Sequence, residues 1–320
     1  MVMFPPIILS EFIFRDAPTH ACHASTIAEV KPGELVAAWF GGTAESKPDV
    51  GIWVSRYSLG EWTKPVEVAK GNVDGKPKFA CYNPVLFQPK NGPLLLFYKV
   101  GSGPAKWWGM MMRSTDGGGH WDKPNRLPEG ILGPIKNPPI KVSGTLLCPS
   151  SSEDHGWRVH FESTRDFGKT WTSTGPVNDA RSIDAIQPSI LKLGGDHLRA
   201  IGRTRQGRLF AIDSPDLGET WGQMRLLDVP NPNAGTDAIN LKDGRFLLVY
   251  NNSTSHRTPL TIAISEDAER WTPVLELEKE PGEFSYPTAI QTEDGKVHIT
   301  YTWQRTRIRH VVVDPTKLGK

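Results

Sequence analysis

The sequence predicts an all-β chain folded as a six-bladed β-propeller, and three observations predict it. A tryptophan-ending phrase recurs at near-constant spacing, a pair of short apolar runs joined by a glycine turn occurs six times, and no long stretch carries helical periodicity. Composition agrees, with 31 Gly, 27 Pro and 11 Trp in 320 residues.

The recurring tryptophans are Trp62, Trp121, Trp171, Trp221 and Trp271, the last four 50 residues apart. Residues 114–121 read STDGGGHW, 164–171 TRDFGKTW, 214–221 SPDLGETW and, one residue shorter, 265–271 SEDAERW; 55–62, SRYSLGEW, is a weaker copy. Ser or Thr, Asp and Gly in this order suit a tight turn in which side-chain oxygens take up free backbone N–H groups and Gly accepts φ > 0. The Trp then re-enters the sheet as an anchor. Asp116, Asp166 and Asp216 are accordingly read as structural.

In chain order the paired runs are STIAEVKPGELVAAWF (25–40), PVLFQPKNGPLLLFY (84–98), PPIKVSGTLLCP (138–149), PSILKLGGDHLRAIG (188–202), DAINLKDGRFLLVY (237–250) and PTAIQTEDGKVHITY (287–301). Two strands joined by a turn, a third running into the box and a fourth after the Trp make one four-stranded unit. Six units fill residues 1–320 as one propeller domain. The last unit has strands at 296–302 and 308–313 with no box after them, while residues 7–14, IILSEFIF, are a strand without a unit. The N-terminal strand is expected to complete the sixth sheet and close the ring, which removes exposed edges.

Several partner classes are not expected. A net charge of +2 argues against a nucleic-acid grip, which needs a clustered basic face. No apolar run reaches the length of about 18 residues that a membrane span requires. The start, MVMFPPIILSEFIF, lacks a basic n-region and a small-residue cleavage site, so a cytoplasmic protein is expected. Cys22, Cys81 and Cys148 cannot all pair and lack metal-ligand spacing, and no nucleotide-binding loop occurs, so neither metal nor other cofactor is expected.

Topology locates the candidate chemistry. Inner strands that run antiparallel put the start of strand 1 and the exit of strand 2 at one rim, and the boxes at the other. The strand-1 starts carry His23, Asn83, Lys136 with Asn137, Gln187, Asp237 and Tyr286, a ring of polar side chains about the axis. The strand-2 exits add Asp49, Glu153, Arg203 with Arg205, Asn251 with Arg257, and Trp303 with Arg305. The sequons at Asn251 and Asn252 carry no meaning for a chain that stays in the cytoplasm. Of Trp107 and Trp108, one is expected to face the sheet interior.

The repeated S/T-x-D-x-G-x-T-W boxes resemble those of Asp-box, or BNR-repeat, proteins, and six of these units resemble the sialidase (neuraminidase) superfamily. The resemblance covers nearly the whole chain. It implies a glycan or oligosaccharide substrate and a set of site residues. The family's first carboxylate-binding arginine stands in a Phe-Arg-Ile-Pro motif about ten residues before the turn glycine; counted back from Gly33, that place is His23, in CHAST. Arg15, eight residues earlier, is read as an edge residue. The resemblance further implies Asp49 as acid/base, Tyr286 as nucleophile, and Arg203 and Arg257 as the other carboxylate-binding arginines. It places Gln187 near where the family has a glutamate partner for the tyrosine, and Gln cannot act as a base.

The resulting expectation is a sialidase-like exo-glycosidase releasing a terminal acidic sugar. His23, Asp49, Tyr286 and Asp237 are the catalytic candidates; Asn83, Lys136, Asn137, Gln187, Arg203, Arg257 and Arg305 are the substrate-binding ones. Guanidinium groups suit anionic sugars because they bind carboxylates bidentately. The alternatives are a lyase on uronate-containing glycans, in which His23 and Tyr286 move the protons, and a propeller that binds carbohydrate without catalysis.

Overall fold

Each pair of apolar runs folds as the two inner strands of one small antiparallel sheet, and six such sheets stand in a ring in the computed structural model, which describes residues 5–73 and 75–319. Residues 1–4, part of the segment read as carrying no leader, lie outside the described residues. Blade 1 comprises Ala21–Lys31, Glu34–Gly42 and Gly51–Ser58, with the short outer strands Glu61–Trp62 and Val66–Ala69 both pairing with the third strand. Blade 2 comprises Lys76–Phe87, Leu94–Gly101, Trp107–Ser114 and Asn125–Arg126, with Gly71–Val73 added on the inner side. Blade 3 is Ile140–Val142, Thr145–Ser152, Arg158–Thr164 and Thr172–Ser173. Blade 4 is Ala185–Gly194, His197–Thr204, Arg208–Ser214 and Arg225–Pro230. Blade 5 is Asp237–Asn240, Phe246–Asn251, Leu260–Ser265 and Thr272–Glu278.

Blade 6 joins the two ends of the chain. Phe284–Gln291, Val297–Trp303 and Arg307–Val313 are followed outward by Ile7–Phe12, which pairs antiparallel with Arg307–Val313 so that Glu11 faces His310. The closing strand is thus the N-terminal one, ending at Phe12 rather than residue 14, with Ile13 N–H still donating to Ile308 O at 3.0 Å.

The core consists of six interfaces between neighbouring blades. Successive side chains of a strand point to opposite faces, and here both faces are covered. On Leu94–Gly101, Leu94, Leu96 and Tyr98 pack toward blade 1, while Leu95 and Phe97 pack toward blade 3. This is why the inner strands read as unbroken apolar runs rather than alternating ones. Cys22, Cys81 and Cys148 are buried free thiols within these interfaces.

The boxes fold as their chemistry requires. Ser114 Oγ donates to Asp116 Oδ1 at 2.8 Å and accepts from Gly118 N–H at 2.8 Å, while Asp116 Oδ1 accepts from His120 N–H at 2.8 Å; the same arrangement recurs around Asp166 and Asp216. The glycine at the fifth position of the box is needed twice over. At Gly218 φ is +93°, and a Cβ there would lie 2.6 Å from Leu147 of the preceding blade. Trp221 lies flat on Phe161 of that same blade, with ring centroids 3.8 Å apart. Each box therefore caps a turn and fastens its blade to the previous one.

At the axis, side chains of one inner strand bond to the backbone of the next. Thr26 Oγ1 accepts from Leu86 N–H, Ser189 Oγ from Ala238 N–H, and Asp237 Oδ2 from Ala289 N–H, at 3.0, 3.0 and 2.9 Å. Thr288 Oγ1 then donates to Ser25 O at 2.9 Å, tying blade 6 to blade 1.

Candidate functional site

The inner strands do not start smoothly. In blades 1, 2, 4 and 6 the pairing register slips by an extra residue at the same level, between His23 and Thr26, Tyr82 and Val85, Ile186 and Ser189, and Ser285 and Thr288. Each bulge holds a non-glycine residue in the left-handed region: Ala24 (φ 55°), Asn83 (40°), Gln187 (57°) and Tyr286 (54°). Three of these four precede proline, which has no N–H to give the ladder. Such backbone is costly and collects at functional sites, where it re-aims side chains. Here it brings Gln187 and Tyr286 together at the axis.

Tyr286 is the centre of the cluster. Its hydroxyl oxygen accepts hydrogen bonds from Arg203 Nη1 at 2.6 Å and from Gln187 Nε2 at 3.4 Å, so the phenol proton remains to be donated elsewhere. Its ring packs on the His23 imidazole, with centroids 4.2 Å apart. The Arg203, Arg257 and Lys136 cations lie 5.7, 5.6 and 5.8 Å from its centroid. His23 Nδ1 is bound to Thr302 Oγ1 at 2.8 Å. Burial first, and then the nearby charges of Arg305, Arg257, Arg203 and Lys136, hold the His23 pKa well below its ordinary value, so the imidazole is neutral.

Arg203 sits at the exit of the second strand of blade 4, buried, with a relative exposure of 5%. Its partners are all neutral: Asn233 Oδ1 (3.1 Å to Nε, 2.7 Å to Nη2), Asn233 O (2.8 Å), Gln187 Oε1 (3.1 Å) and Tyr286 Oη. Its guanidinium also lies 5.0 Å from the Trp157 ring, which Arg205 covers at 4.2 Å. Among the described residues Arg203 forms no ion pair, in contrast to Arg257 and Arg305. Those two share Glu283 Oε1, at 2.8 and 2.6 Å, and Arg305 also bonds Glu45 Oε2 at 2.6 Å. Burial works to raise the Glu283 carboxyl, but the two guanidiniums outweigh it and keep it below the usual range.

Lys136 braces the cluster from below. Its Nζ donates to Asn137 Oδ1 (2.7 Å), Thr236 O (3.0 Å) and Pro287 O (2.6 Å), so one ammonium ties blades 3, 5 and 6 together. Burial pushes its pKa down to about 8 against the pull of Asp237. Asn137 Nδ2 donates to Gln187 O at 3.3 Å.

The remaining candidates stand apart. Asp237 is buried beneath the cluster, with Oδ1 accepting from Ser189 Oγ at 2.8 Å and Oδ2 from Ala289 N–H; burial raises its pKa. Asn83 is buried on the bulge of blade 2. Asp49 is exposed in its own loop, where Thr43 Oγ1 and N–H both donate to Oδ2, the latter at 2.9 Å, and these bonds hold its carboxyl below the usual range. Glu153, whose carboxyl burial raises, lies close enough to feel Arg203 and Arg205. Asn251 is buried and bonds Phe284 O at 2.8 Å.

Sequence reasoning did not find Glu283, Glu45, Asn233 and Thr302. Glu283, three residues before Tyr286, and Thr302, one before Trp303, stood within the segments searched; Asn233 and Glu45 are fixed only by how loops of separate blades meet. Among the described residues, no group of three His, Cys, Asp or Glu side chains is placed to hold a metal ion.

A family model described as a BNR repeat-like domain matches residues 33–299. No curated protein matches the sequence. Among solved structures, a protein of unknown function from Dyadobacter fermentans superposes with a TM-score of 0.80 at 19% identity, covering 97% of this chain and 100% of the other. The NanB sialidase from Streptococcus pneumoniae gives 0.79 at 14% identity, over 98% and 71% of the two chains. The intramolecular trans-sialidase from Ruminococcus gnavus gives 0.76 at 15% identity, over 98% and 99%. At these identities the likeness is one of fold.

Proposed function

The chain belongs to the BNR repeat-like family of sialidase-like propellers, and from that premise we propose that it is a glycoside hydrolase releasing a terminal acidic sugar from a glycan. One observation carries the reading: Arg203 is a buried guanidinium with only neutral partners, 2.6 Å from the hydroxyl of an axial tyrosine. Glu153 acts on it only through space, without touching it; a buried cation with no carboxylate in direct contact is costly unless a ligand supplies one, and a sugar carboxylate does so with bidentate geometry. Arg257 and Arg305, already neutralised by Glu283 and Glu45, offer hydrogen bonds to the rest of the sugar. Tyr286 then attacks the anomeric carbon with its phenol oxygen, the phenol proton passing to the neutral His23 imidazole packed on its ring and the glycosidic oxygen leaving with a proton from Asp49. Asp49 serves as acid/base once the substrate displaces Thr43 from its carboxylate.

Elimination on a uronate is the second reading, favoured by a specific observation. The tyrosine has Gln187 rather than a carboxylate beside it, while a neutral imidazole packs against its ring. In that chemistry His23 takes the proton α to the carboxylate, Arg203 stabilises the enolate charge, and Tyr286 protonates the departing oxygen. The experiment that tests both is incubation with sialosides and uronate-capped oligosaccharides, followed by mass spectrometry. Cleavage with a gain of water supports hydrolysis, and cleavage without it, with an unsaturated uronate chromophore, supports elimination. Failure to bind or cleave any acidic glycan overturns both.

A further inference from the structure

The central channel has a second mouth on the face that carries the boxes, with a character opposite to the first. Every blade contributes an aliphatic side chain to it: Ile27, Leu86, Ile140, Ile190, Ile239 and Ile290 surround a cavity of about 690 Å³. This size falls in the range of small-molecule sites. Ile140, Ile239 and Ile290 keep partial exposure to it. Asp237 closes its inner end, where the inter-blade bonds separate it from Tyr286 and Arg203.

The rim is charged on one side. Lys141, Lys192 and Lys242 come from the consecutive blades 3, 4 and 5 and are all exposed at the mouth. Among the described residues none of them forms an ion pair. Lys192 Nζ donates only to Lys141 O at 2.8 Å, and Lys242 Nζ to Thr292 O and Glu293 O at 2.8 and 2.9 Å. Of the two carboxylates that line the cavity, Asp237 lies at its inner end and Glu29 at the rim, where the N–H groups of Gly33 and Glu293 occupy it at 3.2 and 2.8 Å. Three ammonium groups on an arc beside an aliphatic throat match a molecule with an anionic head and an alkyl chain.

We propose that this second mouth binds a small anionic amphiphile, its alkyl chain against Ile140, Ile239 and Ile290 and its head on Lys141, Lys192 and Lys242. Burying methylene groups drives the chain inward, and the unpaired ammonium groups choose the sign of the head. The head is a carboxylate or a phosphate monoester, since both offer acceptor oxygens to ammonium donors. The site is separate from the glycan site, so its occupancy does not depend on any turnover there.

Calorimetric titration with decanoate, decyl phosphate and decylammonium, each below its micelle concentration, tests the proposal. Saturable binding of one decanoate or decyl phosphate per chain is expected, with decylammonium at least ~10-fold weaker, about 1.4 kcal/mol; the tighter of the two anions identifies the head. Lys192→Glu with Lys141→Glu removes the preference for anions, and Ile239→Glu removes binding of both anions, with thermal melts showing that each variant is folded. Lys123→Glu, at an exposed position on the outer side of blade 2, leaves the affinities unchanged. Equal affinity for the ammonium, no saturable binding, or loss of decanoate binding in a folded Lys123→Glu overturns the proposal. Should Ile239→Glu fail to fold, the paired lysine variant carries the test alone.

Discussion

Replacing Arg203 by lysine keeps the positive charge and removes the fork. The guanidinium now makes five hydrogen bonds to four acceptor atoms: Asn233 Oδ1 and O, Gln187 Oε1 and Tyr286 Oη. A lysine stem is unforked and can reach one or two of them. Each buried acceptor left without a donor costs on the order of 1 kcal/mol or more, so Arg203→Lys is expected to lose ~2–4 kcal/mol of stability. The same change replaces bidentate carboxylate recognition by a point charge. Affinity for an acidic sugar is expected to fall ~10–100-fold, which corresponds to ~1.4–2.8 kcal/mol. Urea unfolding measures the first effect, and calorimetric titration with N-acetylneuraminate, glucuronate and neutral galactose measures the second. Arg203→Met, which removes the charge as well, should bind the acids no better than galactose. A folded Arg203→Met that binds either acid within about threefold of the wild-type affinity would refute the assignment of Arg203 as the anion site.

Other perturbations bear on the site and its support. Tyr286→Phe keeps the ring contact with His23 and removes the oxygen between Arg203 and Gln187; turnover should fall at least ~100-fold while acidic-sugar binding changes little, as steady-state kinetics and titration would show. Lys99, wholly buried and bonded to Pro134 O, is pushed down to about 7 by burial against the pull of Glu162. Its native pKa lies below the unfolded value, so the folded state holds fewer protons between pH 7 and 10.5, and stability rises with pH there. From pH 7 to 9 the wild type should gain ~2–3 kcal/mol that Lys99→Met does not, and parallel urea-unfolding curves would contradict this. His298, pushed down to about 4 by burial with His310 adding and Asp294 opposing, contributes stability that is complete above pH 6.5 and is lost as pH falls toward 4. Thermal melts of His298→Gln should be flatter than wild type across that window.

The propeller was legible because its repeat is chemically demanding. A box needs an oxygen at the first position, a carboxylate at the third, a glycine that lets the tip reach the preceding blade and a Trp to lie between blades, so few sequences satisfy it and the copies stay recognisable. The closing N-terminal strand followed from counting strands in the last unit. What escaped was weakly encoded. Outer strands as short as Glu61–Trp62, Asn125–Arg126 and Thr172–Ser173 bury little and leave no apolar pattern, and Gly71–Val73 pairs on the inner side of blade 2 with no preceding signal in composition.

The site was legible as a set of positions and not as a set of contacts. The rule of strand-1 starts and strand-2 exits reached His23, Lys136, Asn137, Gln187, Arg203, Arg257 and Tyr286, which do meet. It reached Asp237 too, yet alignment of the inter-blade bonds puts Asp237 level with Thr26, Ser189 and Thr288, where an oxygen serves the next blade. A further sign was present in the chain, in Asn83-Pro84, Asn137-Pro138, Gln187-Pro188 and Tyr286-Pro287. A proline within an inner strand cannot donate to the ladder, so the register slips there in blades 2, 4 and 6, and the residue before it turns into the left-handed region in those blades. That strain has to be held, and for Tyr286 the holder is identifiable: Lys136 Nζ, reaching across the axis, donates to Pro287 O at 2.6 Å. The placement of the tyrosine hydroxyl beside Arg203 therefore depends on a lysine 150 residues earlier in the chain, through a bond that no local pattern around Tyr286 could have announced.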